Sequence, residues 1–264
     1  MAPSEIDDLL ADLDRQNRLL ARQLERREQA LQLLQDIQRG NTHLQKSLLS
    51  EIEAEKEKSD RLLQNILPAD AIRRLGAGES LIADAVDCAT VVFADLVGFT
   101  PLSAEMTASE LVQSLNTLYS AFDDAAQRAG VEKIKTIGDA YLACAGLDGQ
   151  RPDHAIIAAR FALEIRDFLR MAKAQGTLPW RMRIGLHSGG LTAGVIGKHK
   201  FAYDIWGDTV NVAARIQSVC APEAVLVSED TAALLADGFD LSDEGEVVLK
   251  GRGKRRVFRL EHRA

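Results

Sequence analysis

Apolar side chains recur at the spacing of a coiled coil through residues 1–67. With Leu10 at heptad position a, one register continues over nine heptads, with leucine-rich ends and a polar stretch around Gln38–Gln45. The residues at position a are Leu10, Asn17, Leu24, Leu31, Gln38, Gln45, Ile52, Ser59 and Ile66, and those at position d are Leu13, Leu20, Arg27, Leu34, Asn41, Leu48, Glu55, Leu62 and Ala69. Because an a/d stripe has to be buried against another helix, the pattern predicts a parallel coiled coil over residues 1–67.

Asn17 is a polar residue at position a, and such a residue commonly fixes the register of a two-stranded coil. A continuous helix over residues 10–69 would be a rod of about 90 Å. Two shorter coils joined at the polar stretch are an alternative, and a single surface helix that packs on its own domain is another. Pro68 ends or kinks the helix. A short helix around Ala69–Leu75 follows, and residues 68–83 are predicted to form a linker.

Glycine is distributed unevenly and marks a change of fold. Gly40 is the only glycine in residues 1–75, whereas the other 18 lie in the remaining 189 residues, so turns become frequent only in the second part. From about Leu81 the apolar residues alternate as in strands. The spacing becomes helical at three places, which are about Ala108 to Arg128, His154 to about Ala174, and about Asp208 to Val219.

Strand patterns lie between these helices. They are CATVVFADL (88–96), two strands within 131–146 joined at Gly138–Asp139, three successive strands in RMRIGLHSG, LTAGVIG and FAYDIWG (181–207), and then AVLVS and VVLKGRGKRRVFRL. The order of elements predicts an α/β fold, an α+β sandwich with its helices on one side of a sheet, over residues 84–264.

The composition excludes several classes of protein. With 46% hydrophobic and 27% charged residues and a net charge of −7, the chain is expected to be a soluble globular protein without a nucleic-acid partner. The chain contains no run of about 18 uncharged apolar residues, so no membrane span is predicted. The acidic N-terminus does not resemble a signal peptide. The three distant cysteines, Cys88, Cys144 and Cys220, predict neither a disulfide framework nor a zinc site. A cytoplasmic location is therefore expected.

Two aspartates are candidates for a metal site. Asp95 ends an apolar strand and Asp139 lies in a strand–strand connection; on neighbouring strands they would form a hard oxygen site suited to Mg²⁺ or Mn²⁺ held jointly with phosphates. The backbone N–H groups of Gly98, Phe99 and Thr100 could then bind a polyphosphate at a helix start. The alternative is that Asp139 is an ordinary turn residue and Asp95 a helix cap.

A third cluster lies in YDIWGDTVNVAARI (203–216). If Asp208 begins a helix, Asn211 and Arg215 are four residues apart and share a face. An amide beside a permanently charged guanidinium suits recognition of sugar oxygen and phosphate. A solvated polar face is the alternative.

Four segments together resemble the catalytic domain of class III nucleotidyl cyclases: FADLVGFTPLS, EKIKTIGDAYLA, GLHSGGLTAGVIG and YDIWGDTVNVAARI. The resemblance runs from roughly Asp84 to Leu260 and implies a ferredoxin-like cyclase core. LLQNILPADAIRRL is similar to the short transducing helix that precedes such domains. The resemblance therefore implies that the linker 68–83 transmits a signal to the catalytic domain.

The resemblance implies a function for each candidate in the reaction. Asp95 and Asp139 would bind two divalent cations, Mg²⁺ or Mn²⁺, one of which lowers the pKa of the ribose 3′-hydroxyl while the other holds the triphosphate. Asn211 would orient the ribose and Arg215 would neutralise charge at the α-phosphate. Lys250, in VLKGRG, would contact the outer phosphates, with Arg252 as a further candidate for that contact.

The resemblance also implies the substrate and the assembly. Lys135 and Asp204 match the pair that selects adenine, so the expected reaction converts ATP to 3′,5′-cyclic AMP and pyrophosphate. A guanylate cyclase and an inactive dimeric signalling module are the alternatives. The family builds each site from two subunits, so a homodimer is expected. The polar stretch around Gln38–Gln45 between two leucine-rich ends leads to the hypothesis that the coiled coil regulates the catalytic domains. A separate upstream sensor partner, a ligand and a removed segment are the alternative sources of the signal.

Overall fold

The computed structural model describes residues 3–64, 66–235 and 238–263, with side chains described from residue 13 onward. The chain divides between residues 65 and 66 into two compact units. The side chain of Leu10, the first predicted a position, lies outside the described part. Among the helices of these residues, none is both long and apolar enough to cross a membrane.

The first unit is one helix, α1, which runs without interruption over Pro3–Gln64. It continues through Gly40 and through the polar stretch, so the long helix expected from the heptads is confirmed. Its seam leucines are exposed in the single chain, with Leu24 62% and Leu34 62% accessible. An exposed a/d stripe of this length is the surface that a coiled coil would bury, and the pairing itself stays a prediction.

The second unit combines short and long helices with one sheet. Its helices are α2 (Ala69–Gly76), α3 (Phe99–Ala104), α4 (Ala108–Ala129), α5 (His154–Ala174), α6 (Asp208–Val219) and α7 (Glu229–Ala233). Its strands are β1 (Ile82–Val97), β2 (Glu132–Ile137), β3 (Ala140–Ala145), β4 (Arg181–Ile196), β5 (Ala202–Trp206), β6 (Val225–Ser228), β7 (Phe239–Leu249) and β8 (Gly253–His262). This confirms the mixed α+β class.

In the part of the chain that the structure describes, the eight strands form one sheet in the order β2-β3-β1-β4-β6-β8-β7, with β5 paired to β4. All neighbours are antiparallel except β4 and β6, which are parallel. The two 16-residue strands β1 and β4 run side by side at the centre. They bring residues from the β2–β3 turn, β1 and β4 close together at one end of the sheet.

The prediction of two separate strands in RMRIGLHSG and LTAGVIG was wrong, because β4 continues through Gly189 and Gly190. Strand β1 bulges between Val86 and Ala89 at this point, and a Cβ at Gly190 would lie 3.2 Å from the carbonyl oxygen of Asp87. The glycines therefore let β4 follow a bulged neighbour closely instead of ending the strand.

The prediction that all helices lie on one side of the sheet was also wrong. Helices α4 and α5 cover the face that carries Val92 and Ala94, whereas α6 packs with the opposite-facing Val91. The close approach of α6 depends on Gly185, where a Cβ would lie 2.3 Å from a backbone nitrogen of the helix. Since side chains alternate across a strand, a strand that is apolar on both faces can carry helices on both.

A line of hydrogen-bonded polar side chains crosses the core, and we call it the buried polar line. Its successive contacts are His154 Nδ1 to Thr90 Oγ1 at 2.7 Å, Thr90 to Ser188 Oγ at 2.8 Å, Ser188 to Thr231 Oγ1 at 3.0 Å, Thr231 to Ser228 Oγ at 3.0 Å, and Ser228 to His187 Nδ1 at 2.8 Å. Burial lowers the pKa of both imidazoles. A neutral imidazole at each end lets every hydroxyl of the line have a partner.

Candidate active site

Asp95 lies on β1 between two neighbouring strands, opposite Ala140 of β3 and opposite Arg183 of β4. Its Oδ2 accepts hydrogen bonds from Arg183 Nε at 3.1 Å and Nη2 at 2.7 Å. Gln217 of α6 donates a third, from Nε2 to the same oxygen at 3.1 Å. The carboxylate is therefore not a helix cap, a position that Gly98 occupies for α3. With three donors on Oδ2, the other carboxylate oxygen is left for another partner.

Asp139 lies in the turn between β2 and β3, one residue before the Ala140 that pairs with Asp95. Burial raises the pKa of the Asp139 carboxyl, and the charge of Asp95 raises it further, against a backbone hydrogen bond and Arg183, which lower it. Two carboxylates that repel each other at a sheet end are suited to a divalent cation.

These two carboxylates do not form a closed metal site by themselves. Among the described side chains, those of residues 13–64, 66–235 and 238–263, no group of three or more His, Cys, Asp or Glu is arranged to hold a metal ion. Mg²⁺ commonly keeps one or two protein carboxylates and takes its remaining ligands from water and substrate phosphates. The pair therefore fits a cation that is bound together with a nucleotide.

The segment after β1 begins a short helix. Gly98 is the N-cap of α3 and has φ 74°, a left-handed conformation that glycine adopts without strain. The ring of Phe99 packs at 5.8 Å from that of the buried Trp180, which fixes the start of the helix, and Thr100 follows in the first turn. N–H groups at this position lack intrahelical acceptors, so they could donate to the predicted phosphate.

Lys135 and Asp204, the predicted base-recognition pair, are in contact. The Lys135 ammonium on β2 donates to Asp204 Oδ2 on β5, while Asp204 Oδ1 accepts from the backbone N–H of Ile205 at 2.9 Å. The Asp204 side chain is 12% exposed and that of Lys135 42%. The pair therefore presents a fixed acceptor and an accessible donor at the edge of the sheet.

Helix α6 begins at Asp208, as the spacing predicted, and carries Asn211 and Arg215 on its exposed face. Asn211 Nδ2 donates to the carbonyl oxygen of Gly207 at 3.2 Å, which leaves its amide oxygen available. The opposite face of the helix is buried, and Gln217 lies there. Arg215 is two residues from Gln217, about 200° around the helix, so the two side chains leave α6 on opposite sides.

Lys250 lies in the turn between β7 and β8 and is exposed. Arg252 in the same turn forms an ion pair with Asp208, with Nη2 and Oδ1 2.5 Å apart. This contact joins the turn to the first residue of α6. Lys250 is therefore held close to the helix that carries Asn211 and Arg215.

The predicted residues form three sets, which are Asp95 with Asp139, Lys135 with Asp204, and the α6 residues with the turn of Lys250. In the described part of the chain, no hydrogen bond or ion pair joins the two carboxylates to Asn211, Arg215 or Lys250. The sequence reasoning missed Arg183 and Gln217, which bind Asp95 directly. The alternation of RMRIG, with arginines between apolar residues of one strand, signalled Arg183; nothing in the sequence distinguished Gln217 from a surface glutamine.

A cavity of about 920 Å³ lies elsewhere in the second unit, between α2, the start of β1 and the loop after β3. Arg74, Cys88, Arg151 and His154 are among its lining residues, and none of the predicted site residues is. The candidate site therefore lies outside this cavity.

Comparison with known proteins identifies one family. Residues 81–262 match the family described as adenylate and guanylate cyclase catalytic domain. An adenylate cyclase of Mycobacterium tuberculosis is 40% identical over 210 residues, which cover 79% of this chain and 47% of that protein. The chain thus spans about half the length of this relative.

Solved structures of cyclase domains are also similar to this chain. The guanylate cyclase domain of RhGC from Catenaria anguillulae, in complex with GTP, is 34% identical with a TM-score of 0.66, and the match covers 69% of this chain and 100% of that one. The adenylyl cyclase CyaB from P. aeruginosa is 26% identical with a TM-score of 0.65, covering 69% of this chain and 97% of that one. Adenylate and guanylate cyclases are therefore both similar to this chain.

Proposed function

The chain belongs to the family of adenylate and guanylate cyclase catalytic domains, and on this basis we propose that it is an adenylate cyclase that converts ATP to 3′,5′-cyclic AMP and pyrophosphate. The observation that carries the choice of ATP is the contact between Lys135 and Asp204. The alternative is a guanylate cyclase, since a relative of known structure that is similar to this chain binds GTP.

Base selection follows from hydrogen-bond chemistry. The Asp204 carboxylate is an acceptor that matches the 6-amino group of adenine, and the Lys135 ammonium is a donor that matches a ring nitrogen. Guanine carries a carbonyl oxygen at that edge, which would meet Asp204 acceptor to acceptor. Because Asp204 is nearly buried, that mismatch would leave polar groups unpaired, and a site of this kind discriminates strongly.

The proposed reaction is an in-line displacement at the α-phosphorus. The ribose 3′-oxygen forms a bond to this phosphorus, the bond to the α–β bridging oxygen breaks, pyrophosphate leaves and the hydroxyl proton is lost to solvent. Asp95 and Asp139 would hold two divalent cations, Mg²⁺ or Mn²⁺, whose positive charge lowers the pKa of the 3′-hydroxyl and neutralises the triphosphate. Positioning and charge neutralisation supply most of the catalysis in such reactions.

The remaining residues would bind and orient the nucleotide. Asn211 offers an amide to the ribose, and Arg215 offers a permanent positive charge at the α-phosphate. Lys250 would contact the outer phosphates, in a turn held by Arg252. The N–H groups of Gly98, Phe99 and Thr100 would bind phosphate oxygens at the start of α3.

We further propose that the working unit is a homodimer in which two chains share each site. Gln217 on the buried face of α6 binds Asp95, so the exposed face with Asn211 and Arg215 points away from the carboxylates of its own chain. A second copy related by a two-fold axis would supply the missing set to each site. Asn211, Arg215 and Lys250 are exposed and therefore accessible to such a second copy.

The exposed seam of α1 supports dimerisation by a second surface. Two copies would bury the a and d leucines against each other in a parallel coil and bring the two catalytic units side by side. The coil and the linker 68–83 would then transmit the signal of an upstream sensor partner to the catalytic dimer. The predicted limits of the three segments, 1–67, 68–83 and 84–264, are retained in this proposal.

The test is to incubate the purified chain separately with ATP and with GTP in the presence of Mg²⁺ or Mn²⁺ and to identify the products by mass spectrometry. Cyclic AMP from ATP, at a rate well above that of cyclic GMP from GTP, supports the proposal. Cyclic GMP as the main product would support the guanylate alternative, and no cyclic product from either would favour the inactive signalling module. Asp95→Ala is the control for contaminating activity.

A further inference from the structure

The buried face of α6 carries a polar side chain that the proposed reaction does not use. Gln217 is 6% exposed, and its Nε2 donates to Asp95 Oδ2 at 3.1 Å. Burial of an amide costs free energy unless the amide is hydrogen-bonded. Here the Gln217 amide donates to the carboxylate that is proposed to hold a cation. Gln217 is thus the direct link between α6 and that carboxylate.

The backbone that carries Gln217 lies directly against β4. A Cβ at Gly185 would lie 2.3 Å from the backbone nitrogen of Gln217 and 2.6 Å from the carbonyl oxygen of Ala213, so α6 rests directly on β4. Gly185 is two residues from Arg183 on that strand, and Arg183 is the other donor to Asp95. Both donors therefore lie beside one closely packed helix–strand contact.

We propose that Gln217 is a positioning residue for the cation-binding carboxylate of Asp95. Together with Arg183 it places three hydrogen bonds on Oδ2, which fixes the rotation of the carboxylate and keeps Oδ1 available for a cation. The proposal rests on the proposed function of Asp95. Hydrogen bonds from such supporting residues orient metal ligands, and their loss typically weakens metal affinity or activity by about 10–100-fold.

The geometry also predicts which site Gln217 serves. It binds the Asp95 of its own chain, whereas Asn211 and Arg215 on the other face of α6 would serve the site completed by the second chain. A defect at Gln217 should therefore affect only the site that contains the Asp95 of the same chain. A general loosening of the fold would affect both.

The first experiment measures binding of Mn²⁺ to the full-length chain in the presence of 3′-deoxy-ATP, which lacks the attacking hydroxyl. The electron paramagnetic resonance signal of free Mn²⁺ gives the dissociation constant. Gln217→Met, of similar volume but without a donor, should weaken Mn²⁺ binding about 10–100-fold, with the affinity for 3′-deoxy-ATP at saturating Mn²⁺ changed less than about twofold. Gln127→Met, the same change at an exposed position of α4, should match the wild type.

The second experiment uses mixed dimers with one intact site, formed from an Asp95→Ala chain and an Arg215→Ala chain that carry different affinity tags. Gln217→Met is introduced either into the Arg215→Ala chain, which supplies Asp95, or into the Asp95→Ala chain. The Mn²⁺ concentration that gives half-maximal cyclic AMP formation should rise only in the first case. A rise of equal size in both mixed dimers would reject a positioning function and indicate a structural defect.

The outcomes separate this proposal from the function on which it rests. If Asp95→Ala loses Mn²⁺ binding and Gln217→Met retains it, Gln217 does not position the carboxylate, and the metal assignment stands. If Asp95→Ala itself binds Mn²⁺ as tightly as the wild type, the metal assignment fails, and the function of Gln217 fails with it.

Discussion

Lys135 and Asp204 form an ion pair between β2 and β5 of the same chain. The two side chains proposed to select the base are therefore each other's partner when no base is present, with Asp204 fixed by a second bond to the backbone N–H of Ile205. An incoming adenine would replace part of this contact with its own donor and acceptor. Substrate choice should accordingly depend on both residues together.

Replacing the pair should shift the preference from ATP toward GTP. The double variant Lys135→Glu/Asp204→Cys offers an acceptor and a small side chain, so the carbonyl of guanine is no longer repelled. We expect kcat/KM for ATP to fall by at least about 100-fold, since a site built for a hydrogen bond rejects an unmatched partner, and the ratio of GTP to ATP turnover to rise. Lys198→Glu, at an exposed position in the loop after β4, is the control; an unchanged ratio in the double variant would contradict the assignment.

Asp139→Asn should abolish turnover and stabilise the fold. Folding raises the pKa of this carboxyl through burial and through the charge of Asp95, so the charged form is less favourable in the folded chain than in the unfolded one. At a pH above the ordinary aspartate pKa, the unfavourable charge on Asp139 lowers the free energy of unfolding. The neutral asparagine side chain removes this charge, so the free energy of unfolding should increase. Urea unfolding in EDTA at pH 7.5 measures the change. Asp124→Asn, at an exposed position of α4, is the control; a destabilised and active Asp139→Asn chain would be incompatible with a metal site here.

Arg215→Ala and Asp95→Ala chains should complement each other. The activity of each variant alone should fall by orders of magnitude. For Arg215→Ala the decrease should be larger in kcat than in the apparent affinity for ATP, as expected for a transition-state contact. In an equal mixture half of the dimers are mixed and each has one intact site, so activity should return to about a quarter of the wild-type value. The two variant chains are denatured, mixed and refolded together, and the specific activity of the mixture is measured. The absence of rescue would argue against shared sites.

The α1 seam should control dimerisation. The seam variant, Leu24→Gln/Leu34→Gln, changes one a and one d position, and both leucines are 62% exposed in the single chain. The control, Leu19→Gln/Leu33→Gln, changes two c positions that are 56% and 63% exposed. If the coil forms as predicted, only the seam variant should weaken the dimer in sedimentation equilibrium and lose activity at low protein concentration. Equal behaviour of the two variants would mean that α1 does not pair through this register. Deletion of residues 1–60 should give the same dependence on concentration.

The buried polar line should make stability fall in mild acid. Burial lowers the pKa of His154 and His187, so the unfolded chain takes up protons on these imidazoles at a higher pH than the folded chain. The free energy of unfolding should therefore decrease as the pH falls below the ordinary histidine value of about 6.5. Urea unfolding at pH 7.5 and 5.5 should show a smaller decrease for His154→Gln than for the wild type. His43→Gln on α1 is the matched control and should keep the full decrease.

Local pattern predicted most of the secondary structure. The starts of α5 at His154 and of α6 at Asp208 followed from the change to helical spacing. Proline chemistry predicted an interruption near Pro68, and α1 ends at Gln64 before α2 begins at Ala69. The glycines at 189 and 190 misled the prediction of strand ends, because a glycine that ends a strand and one that fits a bulge look alike in sequence. Which face of the sheet each helix covers was not encoded locally, since it depends on the close approach at Gly185.

By itself, the sequence determined which residue types were available, and the motifs that carry Asp95, Asp139, Lys135, Asp204, Asn211, Arg215 and Lys250 were enough to identify the family. Only the tertiary structure decided which of these residues meet. Strand register puts Arg183 opposite Asp95, and the packing of α6 turns Gln217 toward the carboxylate and Arg215 away from it. The reason is physical: a residue's partners across a sheet or beneath a helix are set by long-range packing, and spacing along the chain carries no record of that contact.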